Sequence, residues 1–149
     1  MGDVTSPDPA LSLVLACSRF ARLSTRMADV GVSSVTWRIT ATLEARGPMR
    51  LSEIAAREQV ARPTATAAVQ RLEAEGILSR RPDPEDARSA LIELTPAGRE
   101  RLAAWRERLA ATVAELLADV PAEDRAALEH ASEVLHRIID TSEGTLPPA

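Results

Sequence analysis

Between residues 51 and 94 the chain changes hydrophobic period without room for a second core, and this constrains the fold more than any other feature. Pro63 opens and Gly76 closes a helical segment. On a 100° wheel Ala65, Ala68, Val69 and Leu72 share one face, while Pro63, Ala67, Gln70 and Ala74 face the other way, flanked by Thr64, Thr66 and Arg71. Just before it, a short helix opens at Leu51 with Ser52 as its expected N-cap and Glu53 favourable near the positive helix end. That helix ends near Gln59, and Val60, Ala61 and Arg62 make the turn. After Gly76, Ile77–Arg81 and Ser89–Leu94 read as two short strands, and Pro82–Arg88 as a polar, proline-punctuated loop. The expected unit is a tight pair of short helices followed at once by a hairpin.

Long helices flank this unit. Asp8-Pro9 reads as an N-cap with proline at the first helical position, and Leu13, Ala16, Phe20, Leu23, Met27 and Val30 recur at helical spacing up to Gly31. So narrow a stripe is built to pack on other helices. Ser33 or Ser34 caps a second helix with apolar Val35, Ile39 and Leu43, closed by Gly47-Pro48. Thr95-Pro96 starts a long helix with Leu102, Trp105, Leu109, Val113, Leu116 and Val120 on one face, interrupted by Pro121. A last helix carries Leu128, Ala131, Leu135 and Ile138 or Ile139, and a polar, mobile tail is expected over 141–149.

Composition agrees with a mainly helical chain. Ala, Leu and Val carry the hydrophobic share, and Phe20, Trp37 and Trp105 are the whole aromatic complement, whereas strands favour aromatic and β-branched residues. No apolar run approaches the roughly 18 residues that a membrane span needs, and the first residues lack a basic-then-apolar signal pattern, so a cytoplasmic location with no membrane partner is expected. Cys17 is the single cysteine, which rules out an internal disulfide framework. Every cation is Arg. Net charge is −4, which argues against indiscriminate coating of nucleic acid, and residues 47–95 hold seven Arg against eight acids. Any nucleic-acid surface must therefore be a local cluster.

Taken in order, these elements resemble the MarR (multiple antibiotic resistance regulator) family over roughly residues 10–140. The resemblance rests on Val60-Ala61-Arg62-Pro63-Thr64-Ala65-Thr66 leading to Arg71-Leu72-Glu73-Ala74-Glu75-Gly76-Ile77-Leu78, on Asp86-Ala87-Arg88, on Leu94-Thr95-Pro96-Ala97-Gly98, and on Trp37-Arg38 followed by Leu43. It implies a mainly α fold with a small β-hairpin wing, a winged helix-turn-helix with N- and C-terminal dimerisation helices. The parts would be a flexible start over 1–9, dimerisation helices over 10–30 and 96–140, and a DNA-binding lobe over 31–95. The implied function is a homodimeric transcription regulator, most often a repressor in such families, on a pseudo-palindromic operator. A small-molecule effector of unknown identity would modulate it.

On that resemblance the helix from Pro63 enters the major groove of double-stranded DNA. Thr64 and Thr66 can donate to phosphate or touch a thymine methyl, and Pro63 and Gln70 lie on the same outward face. Arg62 and Arg71 can meet phosphate or guanine, Arg80 and Arg81 sit at the base of the wing near the backbone, and Arg88 can enter the minor groove from its tip. Asp86 is expected to hold a nearby Arg and set the wing's geometry. Many relatives place Arg directly after the second Thr; here that position is Ala67, which shifts readout towards Arg62, Arg71, the wing and DNA shape. Phe20 and Trp37 are expected as walls of an effector pocket.

Two other readings stand beside this one. A winged helix can be a protein-interaction module without DNA binding, which the net negative charge and Ala67 favour. Some relatives sense peroxide through a cysteine in the first helix, so Cys17 could serve as a redox sensor. Those sensors lean on Tyr hydroxyls and this chain has none, which favours an inert buried thiol. His130 and His136 do not share a helix face, so no metal site is expected. No phosphate-binding glycine loop or catalytic constellation is legible, and neither an enzyme nor a bound cofactor is expected.

Overall fold

The computed structural model describes residues 8–29 and 31–143. Six helices and three strands follow in the order α1 (Pro9–Ala28), α2 (Ser34–Arg46), β1 (Met49–Arg50), α3 (Leu51–Arg57), α4 (Arg62–Ala74), β2 (Leu78–Pro82), β3 (Ala90–Leu94), α5 (Pro96–Leu116) and α6 (Ala122–Glu143). This is the expected mainly α winged helix-turn-helix architecture.

Several ends are set by the anticipated caps. The Asp8 carboxylate accepts from Ala10 N–H, the Ser33 hydroxyl from Thr36 N–H and the Thr95 hydroxyl from Gly98 N–H. Others differ. α1 stops at Asp29, which takes the left-handed conformation (φ 43°) ahead of Gly31, because a short polar side chain tolerates that region. Ser52 is not an N-cap: α3 begins at Leu51, and the Glu53 carboxylate reaches back to Arg50 N–H at 2.7 Å. α4 starts one residue early, at Arg62, with Pro63 second. α5 ends at Leu116, ahead of Val120 and Pro121. Pro9 is already helical, and α6 runs past the expected start of the tail to Glu143. Residues 1–7 and 144–149, the rest of both expected mobile ends, lie outside the described residues, as does Val30.

The hairpin pairs Leu78 with Leu94 through to Pro82 with Ala90, so β2 is shifted by one residue from the sequence reading and β3 starts one residue later with the same end. A third strand went unforeseen. Met49 and Arg50 pair with Ile92 and Leu91, giving the sheet order β1-β3-β2. Two residues carry no period, so such a strand leaves no signal in sequence.

One core unites these elements. Ile39, Ile54, Val69, Leu72, Ile92 and Leu102 are fully buried, with Trp105 and Leu43 beside them. α4 buries Ala65, Val69 and Leu72 and leaves Pro63, Ala67, Gln70 and Ala74 exposed, as the wheel requires. Gly98 lets α5 seat against the hairpin, since a Cβ there would overlap the Ile77 carbonyl oxygen. Glu58 fastens the turn after α3 onto α2: its carboxylate, 7% exposed, accepts from Arg38 Nε at 3.0 Å and the Thr42 hydroxyl at 2.6 Å.

The apolar stripes of the outer helices do not join this core. Leu13, Phe20, Leu23 and Met27 of α1 and Leu128, Ile138 and Ile139 of α6 are exposed in the single chain. α6 makes at most marginal contact with the other elements.

Candidate nucleic-acid interface

α4 presents its outward face beside the wing. Its N-cap, Ala61, has no side-chain acceptor, so the first backbone N–H groups of α4 stay open to an anion. Arg62 occupies the first turn, exposed and with no side-chain partner among the described residues. Thr64 is exposed, whereas Thr66 is half-buried and donates its hydroxyl to Arg62 carbonyl oxygen at 2.8 Å. Thr66 therefore has a methyl and an acceptor to offer but no free donor. Gln70 is exposed one turn further along, and Pro63 supplies surface without a donor.

The five Arg residues singled out in the sequence fall into two classes. Arg71 Nε meets Glu75 at 2.9 Å, Arg80 Nε meets Glu73 at 2.6 Å and Arg81 Nε meets Glu93 at 3.1 Å. Each charge is matched in place. Arg62 and Arg88 have no carboxylate partner among the described residues, so their charge and donors are uncommitted. Among these five, the unmatched positive charge lies at two points, one at the start of α4 and one in the wing.

Asp86 does not hold an arginine, contrary to the sequence reading. It accepts from Arg88 N–H at 3.0 Å and from the Ser89 hydroxyl at 2.8 Å, folding the wing's tip into a side-chain-capped turn. The arginine-holding carboxylate is Asp83. It accepts from Arg50 Nε at 2.5 Å and from Glu85 N–H at 2.9 Å, and its side chain is 2% exposed. Arg50 and Asp83 were both missed. A proline-flanked Asp is a turn signal, but nothing in sequence indicates a partner 33 residues away.

Both carboxylates are held below the usual range, Asp83 chiefly by the Arg50 hydrogen bond and Asp86 chiefly by Arg88 N–H and then the Ser89 hydroxyl. A carboxyl whose folded pKa is depressed stabilises above its unfolded value of about 3.9, and that contribution disappears as pH falls through the folded value. Asp83→Asn/Asp86→Asn should therefore melt below wild type by a constant margin between about pH 5 and pH 8. The margin should close as pH drops below about 4. Calorimetry across pH tests this; a margin that changed near neutrality would contradict it.

Phe20 and Trp37 line one cleft of about 1120 Å³, bounded by α1, α2, α5 and α6. Leu109 and Val113 add to its apolar lining, and Arg22, Arg26, Arg38 and His136 also line it. Behind Trp37 the ring of Trp105 lies 6.2 Å away, with Arg101 6.0 Å above Trp105. Cys17 is exposed on α1, not buried as its sequence context suggested, because the apolar face beside it is uncovered in the single chain. No helix among the described residues is long and apolar enough to cross a membrane.

This arrangement has close parallels. The MarR family profile matches residues 32–90, from just before α2 to the first residue of β3. An uncharacterized HTH-type transcriptional regulator of Mycobacterium leprae is 31% identical over 134 residues, 89% of this chain and 94% of its own length. A Bacillus subtilis regulator of the same description is 32% identical over 79% of this chain and 89% of its own. Among solved structures, apo MarR from E. coli superposes with a TM-score of 0.73 over 87% of this chain and 98% of its own, at 17% identity, a likeness of fold. The PcaV regulator of Streptomyces coelicolor, solved with its natural ligand, gives 0.60 over 95% of this chain and 98% of its own at 22% identity. With the M. leprae relative matched nearly end to end and the winged helix in place, the chain belongs to the MarR family of transcriptional regulators, and it is not an enzyme.

Proposed function

We propose that two copies of this chain bind a pseudo-palindromic operator and repress transcription, and that a small molecule in the Phe20–Trp37 cleft modulates that binding. The observation that carries the DNA reading is that, of the five arginines singled out on α4 and the wing, Arg62 and Arg88 lack a carboxylate partner among the described residues while the other three are paired. α4 offers open N–H groups, Arg62, Thr64 and Gln70 to a major groove. Arg88 reaches the neighbouring minor groove, and Arg71, Arg80 and Arg81 frame the contact with their acids attached. With Ala67 at the centre of the exposed face, base readout rests on few side chains, and DNA shape carries more of the discrimination.

Pairing of two chains is supported by α1 and α6, whose exposed leucines and isoleucines find too little apolar surface within one chain. A two-fold dimer would set its two α4 helices against half-sites about 34–36 Å apart. The cleft lies between those pairing helices and α2, so a ligand with an apolar body wedged there changes the angle between lobes and hence that spacing. Mixing the protein with sheared genomic DNA and sequencing the retained fragments tests the reading. An inverted repeat with half-site centres about one helical turn apart is expected. Retention without any common sequence would leave only non-specific binding, and no retention above background would favour the protein-interaction reading.

A further inference from the structure

Arg50 sits where three parts of the DNA-binding lobe meet. Its backbone pairs with Leu91 in the sheet, and its N–H donates to Glu53 at the start of α3. Its half-buried guanidinium lies against the wing, with Nε on Asp83 at 2.5 Å and Nη2 3.5 Å from Glu85. From Asp83 the bonding continues outward. Asp83 N–H donates to Ser89 carbonyl oxygen at 3.2 Å, Ser89 N–H to Asp86 carbonyl oxygen at 2.9 Å, and Arg88 N–H to the Asp86 carboxylate. An arginine facing two carboxylates has no charge left for phosphate. A loop carboxylate that is 2% exposed has nowhere to turn if that arginine is lost.

The geometry points to Arg50 as a positioning residue for DNA recognition: by clamping Asp83, it fixes the wing tip carrying Arg88 relative to α4. The hairpin's strands are otherwise held to the lobe by β1, the core and the Arg80–Glu73 pair onto α4, all short of the turn beyond Pro82, so that turn depends on the Arg50–Asp83 bond to keep its height and direction. A minor-groove arginine is effective only at a defined distance from the major-groove contact, because the two grooves are separated by a fixed step along the duplex. Loosening the clamp leaves the overall charge attraction in place and blurs that step. The loss therefore falls on the selected sequence and spares random DNA. The inference rests on the reading of Arg88 as a groove contact.

The test is a double-mutant cycle on a fragment retained from genomic DNA and on a scrambled duplex of equal length, with Arg50→Ala, Arg88→Ala and the pair. Arg50→Ala is expected to weaken the selected fragment about tenfold while changing the scrambled duplex less than about threefold, and to add nothing once Arg88 is gone. Asp83→Asn, which cuts the same bond from the other side while keeping the loop's shape, should reproduce this. The swap Arg50→Asp with Asp83→Arg should restore at least half of the lost discrimination. Multiplicative losses in the Arg50/Arg88 pair, equal losses on both duplexes, or no loss with Asp83→Asn would overturn the inference. If Arg88→Ala alone leaves affinity unchanged, the groove contact itself fails; if Arg88→Ala weakens binding and Arg50→Ala does not, only the clamp fails.

Discussion

Ile138→Glu is expected to give a monomer that has lost affinity for its operator by at least about a hundredfold. Ile138 is 56% exposed on α6, a helix that scarcely touches the rest of its own chain. The substitution therefore leaves the core of Ile39, Ile54, Leu72, Ile92 and Leu102 intact, and the lobe should melt as a folded unit. In a two-fold dimer one change acts twice, placing two carboxylates in an apolar contact. Each unpaired buried charge costs several kcal/mol, more than such an interface can absorb. A single lobe then engages one half-site and forgoes the effective concentration that the second contact supplies. Leu128→Glu, at another point of the same face, should behave alike. Sedimentation and gel-shift titration of the two variants check this; a dimer that persists in both would place the pairing face elsewhere.

The second large effect separates free from paired arginines. Arg62→Ala/Arg88→Ala should weaken operator binding at least about a hundredfold and flatten its salt dependence, since each arginine removed takes a counterion-releasing contact from both halves of the site. The paired residues call for a different design. Deleting Arg71 alone strips Glu75 of its partner and leaves a carboxylate facing DNA, so a loss there would not demonstrate a contact. Removing both members avoids this. Arg71→Ala/Glu75→Ala, Arg80→Ala/Glu73→Ala and Arg81→Ala/Glu93→Ala should each stay within about threefold of wild type, because exposed pairs contribute little by themselves. Anisotropy titrations at several salt concentrations measure both quantities. A paired deletion as damaging as the Arg62/Arg88 variant would show that the ion pairs open on DNA and that freedom in the unbound chain is no guide to contact.

Much of the fold was legible because its signals are local. Proline and glycine punctuate α4, Thr95-Pro96 starts α5, and the wheel of α4 separates Val69 and Leu72 from Ala67 and Gln70 as the structure does. Two of the misplaced boundaries have a local cause. Glu53 caps Arg50 and displaces Ser52, and Asp29 turns left-handed two residues ahead of Gly31, which is left-handed as well. The site was legible by residue type and not by pairing. The sequence reading marks Arg62, Arg71, Arg80, Arg81 and Arg88 alike; the i,i+4 spacing of Arg71 and Glu75 is a local signal of pairing, whereas Glu73 and Glu93 reach Arg80 and Arg81 only through the fold. The Arg50–Asp83 bond and the Glu58 anchor of Arg38 and Thr42 were invisible for the same reason, since contact between distant positions has no periodic signature.

The central claim is that paired lobes read a particular duplex through α4 and the wing. Its most direct test is a titration of one retained genomic fragment and its scrambled counterpart at about 50 and 200 mM salt, with stoichiometry recorded. The account predicts saturation at two chains per site and a preference for the genomic sequence of at least about a thousandfold. Both affinities should fall as salt rises. Equal binding to both duplexes, or none to either at the lower salt, would contradict it.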